Sequence, residues 1–225
     1  LGPFWVVIQA LMGSAVFTIV FGNIAGISTD GHPTFLFYLS GMVGWQYFGS
    51  VLGLGSNALQ SNLGLFSKVY FPRLIPPVSQ SISSLLNYFI QLIVFFLALL
   101  IYNQTNASNQ IPISFSLLLI PLLIFQTAIL GLGLGFIISA ASIKYRDLSR
   151  VSGLFTQFIM YASPVIYPIS EIPTKYQIYT AYNPLTFIVE SYRALLLGSA
   201  SGCKWEFAIP SVLITLVIFV IGVIL

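Results

Sequence analysis

Residues 92–101 read Leu-Ile-Val-Phe-Phe-Leu-Ala-Leu-Leu-Ile, an unbroken apolar run near the middle of the chain. Strands of a membrane barrel alternate between apolar and polar residues, and this run does not alternate. It lies within residues 74–143, where no Lys, Arg, Asp or Glu occurs. Because a charge at the bilayer centre costs about 2.5–3.5 kcal/mol on insertion scales, a long uncharged stretch of this kind predicts membrane-spanning helices.

The composition of the whole chain supports the same interpretation. Of its 225 residues, 57% are hydrophobic and only 6% are charged, whereas a soluble domain carries roughly 25% charged residues. So few charges cannot cover a water-exposed surface of this size, which excludes a soluble globular protein. The high hydrophobicity excludes disorder, and the single cysteine, Cys203, excludes a disulfide scaffold. An all-α polytopic membrane protein remains.

Six segments are long and apolar enough to cross a bilayer, which requires about 20 residues each. The predicted spans are residues 3–27, 34–55, 78–102, 112–142, 151–167 and 208–225. The loops after the second and fourth spans hold five of the eight basic residues, so the positive-inside rule places these loops and the N-terminus in the cytoplasm. We also expect a cytoplasmic segment before the first residue and a short tail after the last.

The sequence lacks the residues that catalytic and energy-coupling sites require. It has no GxxxxGK[ST] nucleotide-binding loop, a single histidine (His32) and no Cys/His cluster for a metal. The predicted spans carry no charged residue, which argues against a charge-based ion relay, although a secondary transporter can work with polar uncharged residues and broken helices. We therefore expect no enzyme activity and no cofactor in this chain, and a partner that supplies the energy for uphill transport.

Two cytoplasmic loops carry residues suited to docking. In the first, Asn62 and Pro72 bracket a short amphipathic helix with a basic end. In the second, Asp147 can pair with Arg146 or Arg150. Each loop can press on a cytosolic partner, but each can equally be a solvated loop whose cations only satisfy the positive-inside rule.

The segment between the fifth and sixth predicted spans is long for a connection and contains a helix of its own. Pro164 and Pro168 end the fifth span, since proline removes a helical hydrogen bond. Asn183-Pro184 predicts a helix start, with Asn as the cap and Pro at the first helical position. On that helix Glu190 and Arg193 lie three residues apart and can pair. It is too short to span and too apolar for water, which predicts a re-entrant or interfacial hairpin, or a plain interfacial helix.

Five stretches, in order along nearly the whole chain, carry a family resemblance. They are Leu1-Gly2-Pro3-Phe4-Trp5, Lys68-Val69-Tyr70-Phe71-Pro72-Arg73, Tyr145-Arg146-Asp147-Leu148, Ser163-Pro164-Val165-Ile166-Tyr167-Pro168, and Asn183-Pro184-Leu185 with Arg193-Ala194-Leu195-Leu196. With these stretches the chain resembles the membrane subunits of ABC-2-type exporters, in particular the bacterial polysaccharide and polyol-phosphate exporters of O-antigen, capsule or teichoic acid. The amphipathic N-terminal interface helix of that family is not among these 225 residues.

The resemblance implies a single transmembrane domain over residues 1–225. It implies a homodimer in the bacterial inner (cytoplasmic) membrane, with two cytosolic P-loop ATPase subunits that bind ATP and Mg²⁺. A lipid-linked glycan would enter from the cytoplasmic side, and nucleic acid is not an expected partner. The residues implied to dock on the ATPase are Lys68, Tyr70, Phe71, Pro72, Arg73, Tyr145, Arg146 and Asp147. The outside hairpin implied to flank the channel exit contains Pro164, Pro168, Asn183, Pro184, Glu190 and Arg193.

Aromatic side chains with a polar tip inside the predicted spans are candidate platforms for sugar rings. They are Tyr38, Trp45, Tyr47, Tyr88 and Tyr161. Each of them can equally serve ordinary packing or the aromatic belt at a membrane interface. An exporter of drugs or small lipids is the alternative function, and a non-transport membrane scaffold is the second alternative.

Overall fold

The computed structural model describes residues 2–61, 72, 74–106, 110–112, 115–144, 148–198 and 205–225, and the regular secondary structure within them is helical. The α-helices are α1 (Gly2–Phe17), α2 (Thr34–Ser56), α3 (Ala58–Ser61), α4 (Ile75–Thr105), α5 (Ile120–Lys144), α6 (Leu148–Ala162), α7 (Thr174–Ala181), α8 (Pro184–Leu197) and α9 (Ala208–Ile224). A π-helical stretch, Thr18–Ile24, continues α1, and 3₁₀ turns precede α5, α7 and α9 at Phe115–Leu119, Ile169–Glu171 and Trp205–Phe207. The prediction of an all-α fold is confirmed.

Four helical stretches in the described parts of the chain have the length and hydropathy of a membrane crossing. They are Gly2–Ile24, Ile75–Thr105, Ser116–Ile143 and Trp205–Ile224. These stretches correspond to the first, third, fourth and sixth predicted spans, so the prediction of a multi-pass membrane protein is confirmed. Large apolar side chains such as Leu86, Phe125 and Val217 are exposed on them, as expected for surfaces that a bilayer covers.

The second predicted span is α2, which forms the centre of the bundle. Sixteen of its 23 residues are buried, and it packs against α1, α4, α5, α6 and α8. Because most of its surface meets protein rather than lipid, α2 can carry Gln46 and several glycines at membrane depth. It is not among the four stretches that have the hydropathy of a membrane crossing.

The fifth predicted span, residues 151–167, differs from the helix that forms there. That helix, α6, begins at Leu148 and ends at Ala162, and a turn follows in which the amide of Val165 donates to the carbonyl of Ser163 over 2.7 Å. The helix ends early because Pro164 has no amide hydrogen to continue the ladder. With 15 residues, α6 is about 22 Å long at 1.5 Å per residue, which is shorter than a hydrocarbon core of about 30 Å.

Glycines on α5 allow its backbone to approach the backbones of two neighbouring helices closely. A Cβ atom added at Gly135 would lie 2.8 Å from the Cα atom of Gly55 on α2. One added at Gly133 would lie 2.7 Å from the Cα atom of Phe219 on α9. Small residues permit this close approach in membrane helix pairs. Helix α5 is therefore held between α2 and α9, and α2 has a rigid support on that side.

Candidate functional site

Helix α8 starts and ends where the sequence predicts. The Asn183 side-chain oxygen accepts a hydrogen bond from the backbone N–H of Leu185 over 3.1 Å, and Pro184 is the first helical residue. Gly198 follows the helix with a left-handed φ of 70°, a conformation that glycine adopts without strain. Helix α7 precedes α8 and contacts it, and Tyr182 and Asn183 connect the two helices.

The surface of α8 is almost completely covered by protein. Every residue of the helix except Ala194 is buried, and α8 packs against α2, α5, α7 and α9. A plain interfacial helix would leave one face to water or lipid headgroups. That alternative is therefore wrong, and α8 is an internal element of the bundle.

Arg193 joins α8 to the turn that follows α6. Its Nη1 atom donates to the Pro164 carbonyl over 2.6 Å and to Glu190 Oε1 over 3.0 Å. Its Nη2 atom donates to the Val165 carbonyl over 2.5 Å, and the guanidinium carbon lies 3.9 Å from the centre of the Phe37 ring. We call this assembly of Arg193, Glu190, Phe37, Pro164 and Val165 the arginine hub.

The arginine hub pairs two charges that are withdrawn from water. The exposed fraction is 3% for Arg193 and 5% for Glu190. A buried charge is tolerated when it is paired and hydrogen-bonded, and the carboxylate, the two carbonyls and the aromatic ring together provide that environment. Pairing of Glu190 with Arg193 was predicted from their spacing, and the 3.0 Å distance confirms it.

Two glycines of α2 make room for the side chains of α8. A Cβ atom at Gly41 would lie 3.1 Å from Nη2 of Arg193, and one at Gly44 would lie 2.4 Å from the Tyr192 ring. The two glycines are three residues apart and so face the same side of α2. They form a shallow groove into which α8 places its arginine and its tyrosine.

The loop between α1 and α2 contacts the segment after α6. The Ser170 hydroxyl donates to Asp30 Oδ1 over 2.7 Å, and Asp30 adopts a positive φ of 50°. In the same loop, burial lowers the pKa of the His32 imidazole below its ordinary value, an effect that the nearby Asp30 carboxylate partly opposes.

The five candidate aromatics fall into two groups. Tyr38, Trp45 and Tyr47 on α2 and Tyr88 on α4 are buried, whereas Tyr161 on α6 is 53% exposed. The Tyr47 and Tyr88 rings meet edge to face with their centres 5.5 Å apart. A role of these side chains in substrate contact stays a prediction.

A cavity of about 300 Å³ lies between α1, α2 and α4, and we call it the polar cleft. Tyr47 and Tyr88 are among its lining residues. Its polar lining consists of Gln9, Gln46, Ser50, Ser84, Asn87 and Gln91. The Gln91 side-chain amide donates to Gln46 Oε1 over 2.7 Å. None of the described residues around this cavity carries a charge.

A second cavity, of about 480 Å³, lies along the same three helices, and we call it the apolar cavity. Val7, Leu11, Leu97 and Ile101 are among its walls. The two cavities therefore differ in chemistry although they share α1, α2 and α4.

Of the predicted docking residues, the structure describes Pro72, which is exposed. The others lie outside the described residues: Lys68, Tyr70, Phe71, Arg73, Tyr145, Arg146 and Asp147. The short helix predicted after Asn62 lies outside them as well. Coupling through these loops stays a prediction.

The arginine hub and the polar cleft were not predicted as units. The proline turn and the Glu190–Arg193 pair were identified separately, and their contact depends on how α6 and α8 pack. A signal was present, because an acid and a base inside an otherwise apolar helix require buried partners. Likewise, Gln46 and Gln91 are amides within predicted spans, and each needs a polar neighbour at that depth.

The fold and these sites define a multi-pass helical membrane protein. Within the described ranges, no group of three His, Cys, Asp or Glu side chains could hold a metal ion. The chain belongs to the ABC-2 type transporter family, whose sequence profile matches residues 1–197. Members of this family are membrane permeases without catalytic activity, and ATP is hydrolysed by a separate subunit. The chain is therefore a permease whose family implies a partner ATPase subunit.

Three relatives illustrate the range of the similarity. The O-antigen export system permease protein RfbA of Klebsiella pneumoniae is 25% identical over 198 residues, which cover 88% of this chain and 73% of the relative. RfbA of Myxococcus xanthus is 24% identical over 197 residues, covering 87% and 72%. The polysialic acid transport protein KpsM of Escherichia coli is 26% identical over 227 residues, covering 97% and 83%.

Proposed function

We propose that this chain is the permease subunit of an exporter that moves a lipid-linked polysaccharide from the cytoplasm outward. The polymer is O-antigen-like, capsular or teichoic-acid-like, and the partner ATPase supplies the energy. The observation that carries this proposal is the similarity, over most of the chain, to two kinds of polysaccharide exporter. A cavity lined by amides and hydroxyls at membrane depth supports it, because a carbohydrate requires hydrogen-bonding partners there.

The proposed architecture has six spans in the bacterial inner membrane, with the N-terminus in the cytoplasm. Helix α2 is the second span, and α6 with the turn after it forms the fifth. Helix α8 has 14 residues and is about 21 Å long, so the α7–α8 hairpin enters the outer leaflet and returns. Two copies of the chain assemble with two ATPase subunits, and membrane lipids surround the dimer.

Both cytoplasmic loops are proposed to transmit the force of ATP hydrolysis. The Arg73→Glu and Asp147→Arg substitutions reverse a charge in each loop and will lower export, while the amount of chain in the membrane stays normal. Export and stimulated ATPase activity that remain unchanged in both variants would contradict this docking role. Replacement of the exposed lysine Lys175 by Met, on α7, is the control.

Deletion of the gene in its own host tests the proposed function. We expect lipid-linked polymer to accumulate inside the cell and surface polymer to disappear, and we expect the intact gene to restore both. A tagged chain should co-purify with a cytosolic P-loop ATPase. Normal surface polymer in the deletion strain refutes the proposal, and new drug sensitivity in that case would instead favour the exporter of drugs or small lipids.

A further inference from the structure

We propose that the polar cleft is a binding site for sugar units of the polymer in transit, and that it recognises their uncharged hydroxyl and amide groups. This inference rests on the proposed function and assigns part of the substrate path to α1, α2 and α4. The part of the substrate that the polar cleft binds is the sugar, and neither the lipid nor a phosphate.

The depth of the polar cleft in the membrane is the first reason. Gln9 lies within the crossing stretch Gly2–Ile24 and Asn87 within Ile75–Thr105, and both side chains are exposed. Exposed amides at this depth do not face hydrocarbon, because lipid offers them no hydrogen bond. The adjacent Leu86 is 70% exposed and apolar, so the lipid-facing side of α4 begins one residue away. The polar cleft therefore opens towards water or a polar ligand.

The chemistry of the lining is the second reason. A carboxamide both donates and accepts hydrogen bonds, as does a sugar hydroxyl, so each amide can bind either group of a saccharide. The hydrogen bond between Gln46 and Gln91 fixes the orientation of two of these amides. A phosphate or a carboxylate would instead be bound by Arg or Lys, and the described lining has neither.

The shape of the polar cleft is the third reason. The edge-to-face pair of Tyr47 and Tyr88 provides an apolar wall with rigid rings, against which the C–H face of a sugar ring can pack. A volume of about 300 Å³ lies at the lower end of the range for ligand pockets. The apolar cavity beside it, walled by Leu11 and Leu97, has the opposite chemistry. The amide lining is thus a local feature and does not reflect the general composition of these helices.

Thiol labelling in membranes of the native host, with the partner ATPase present, tests whether the polar cleft is wet and occupied. The background is Cys203→Ser, used once it is shown to export normally, and the two probes are Asn87→Cys and its neighbour Leu86→Cys. A membrane-impermeant methanethiosulfonate reagent should label Asn87→Cys at least ~10-fold faster, because the reactive thiolate forms only in contact with water. Labelling of Asn87→Cys should also be slower in cells that make the polymer than in cells lacking its first sugar transferase.

Export by substituted chains provides the second readout. Asn87→Leu and Gln91→Leu should lower surface polymer while the chain still assembles with its ATPase, and Asn87→Gln, which keeps the amide, should restore most of the loss. Leu86→Ala should export like the intact chain. Surface polymer restored by the intact chain tests the proposed function separately, so failure of the polar-cleft assignment can be distinguished from failure of the proposed function.

Three results overturn the assignment. The first is equal labelling of Asn87→Cys with and without polymer, combined with unchanged export by Asn87→Leu. The second is labelling as slow as that of Leu86→Cys in both strains, which would place the polar cleft against lipid. The third is a disulfide between two copies through Asn87→Cys together with blocked labelling in both strains, which would make this face a contact between protomers.

Discussion

Replacement of Arg193 by Met is expected to destabilise the protein more than any other single loss of charge on α8. The substitution keeps an unbranched side chain of similar reach but removes every donor from the arginine hub. Glu190, 5% exposed, then remains as a buried charge without its partner, and the Pro164 and Val165 carbonyls lose their donor. Breaking a buried pair in this way typically costs about 3–5 kcal/mol.

The matched variant is Glu190→Gln, which removes the other charge. Arg193 keeps its two carbonyl acceptors in this variant, and the Gln oxygen can replace Glu190 Oε1, so we expect a smaller loss of about 1–2 kcal/mol. The double variant has no unpaired charge. It should therefore have a higher free energy of unfolding than Arg193→Met alone. Two independent substitutions would instead add their losses and make the double variant less stable.

Chemical unfolding of the purified complex in lipid nanodiscs, followed by the near-ultraviolet signal of its aromatic residues, measures these differences. Lys175→Met on α7 removes an exposed charge and serves as the control, with an expected change within about 0.5 kcal/mol. An Arg193→Met variant within about 1 kcal/mol of the intact chain would show that the arginine hub does not stabilise the fold in this way. Further destabilisation of the Arg193→Met variant by Glu190→Gln would show that no unpaired carboxylate remains in the single variant.

Three further outcomes follow from the described contacts. Gly44→Ala should destabilise the protein by about 1–3 kcal/mol, because the added methyl group overpacks against Tyr192. Gly53→Ala on the same helix is the control and should be neutral or stabilising, because the added methyl group meets no atom within 4 Å. Equal unfolding midpoints of the two variants would contradict this prediction. Asn183→Ala should cost about 1 kcal/mol by removing the cap of α8, as measured by unfolding and rescued by Asn183→Asp. Burial lowers the pKa of His32 in the folded chain below its ordinary value of 6.5. As the pH falls below that value, the unfolded chain binds a proton at His32 more readily than the folded chain does, so the free energy of unfolding should decline. His32→Gln should remove part of that decline in unfolding experiments at several pH values.

Local rules were sufficient for much of the fold. Composition and charge placement identified α1, α4, α5 and α9, because lipid imposes the same requirement on every residue of an exposed span. The start of α8 was equally predictable, since an Asn-Pro cap acts within three residues.

Other features depended on packing between distant segments. The central position of α2 could not be read from its own residues, because its apolar run has the length of an ordinary span and its burial depends on which helices pack around it. The early end of α6 was missed because the apolar residues beyond Pro164 extended the predicted span past the break in its hydrogen-bond ladder. The polar cleft required Gln9, Gln46 and Gln91 to meet from three helices.

The two ends of α6 lie beside a predicted docking loop and beside the arginine hub. The helix begins at Leu148, directly after the second predicted docking loop, and ends two residues before Pro164, whose carbonyl accepts a hydrogen bond from Arg193. A hydrogen-bonded helix is stiff along its axis, so an axial displacement of its first turn also displaces its last turn. Tyr192 and Arg193 of α8 pack against Gly44 and Gly41 of α2, and this packing opposes the displacement. We therefore expect strain applied at the Leu148 end of α6 to concentrate at the arginine hub, so that the contact between α6 and α8 breaks there first.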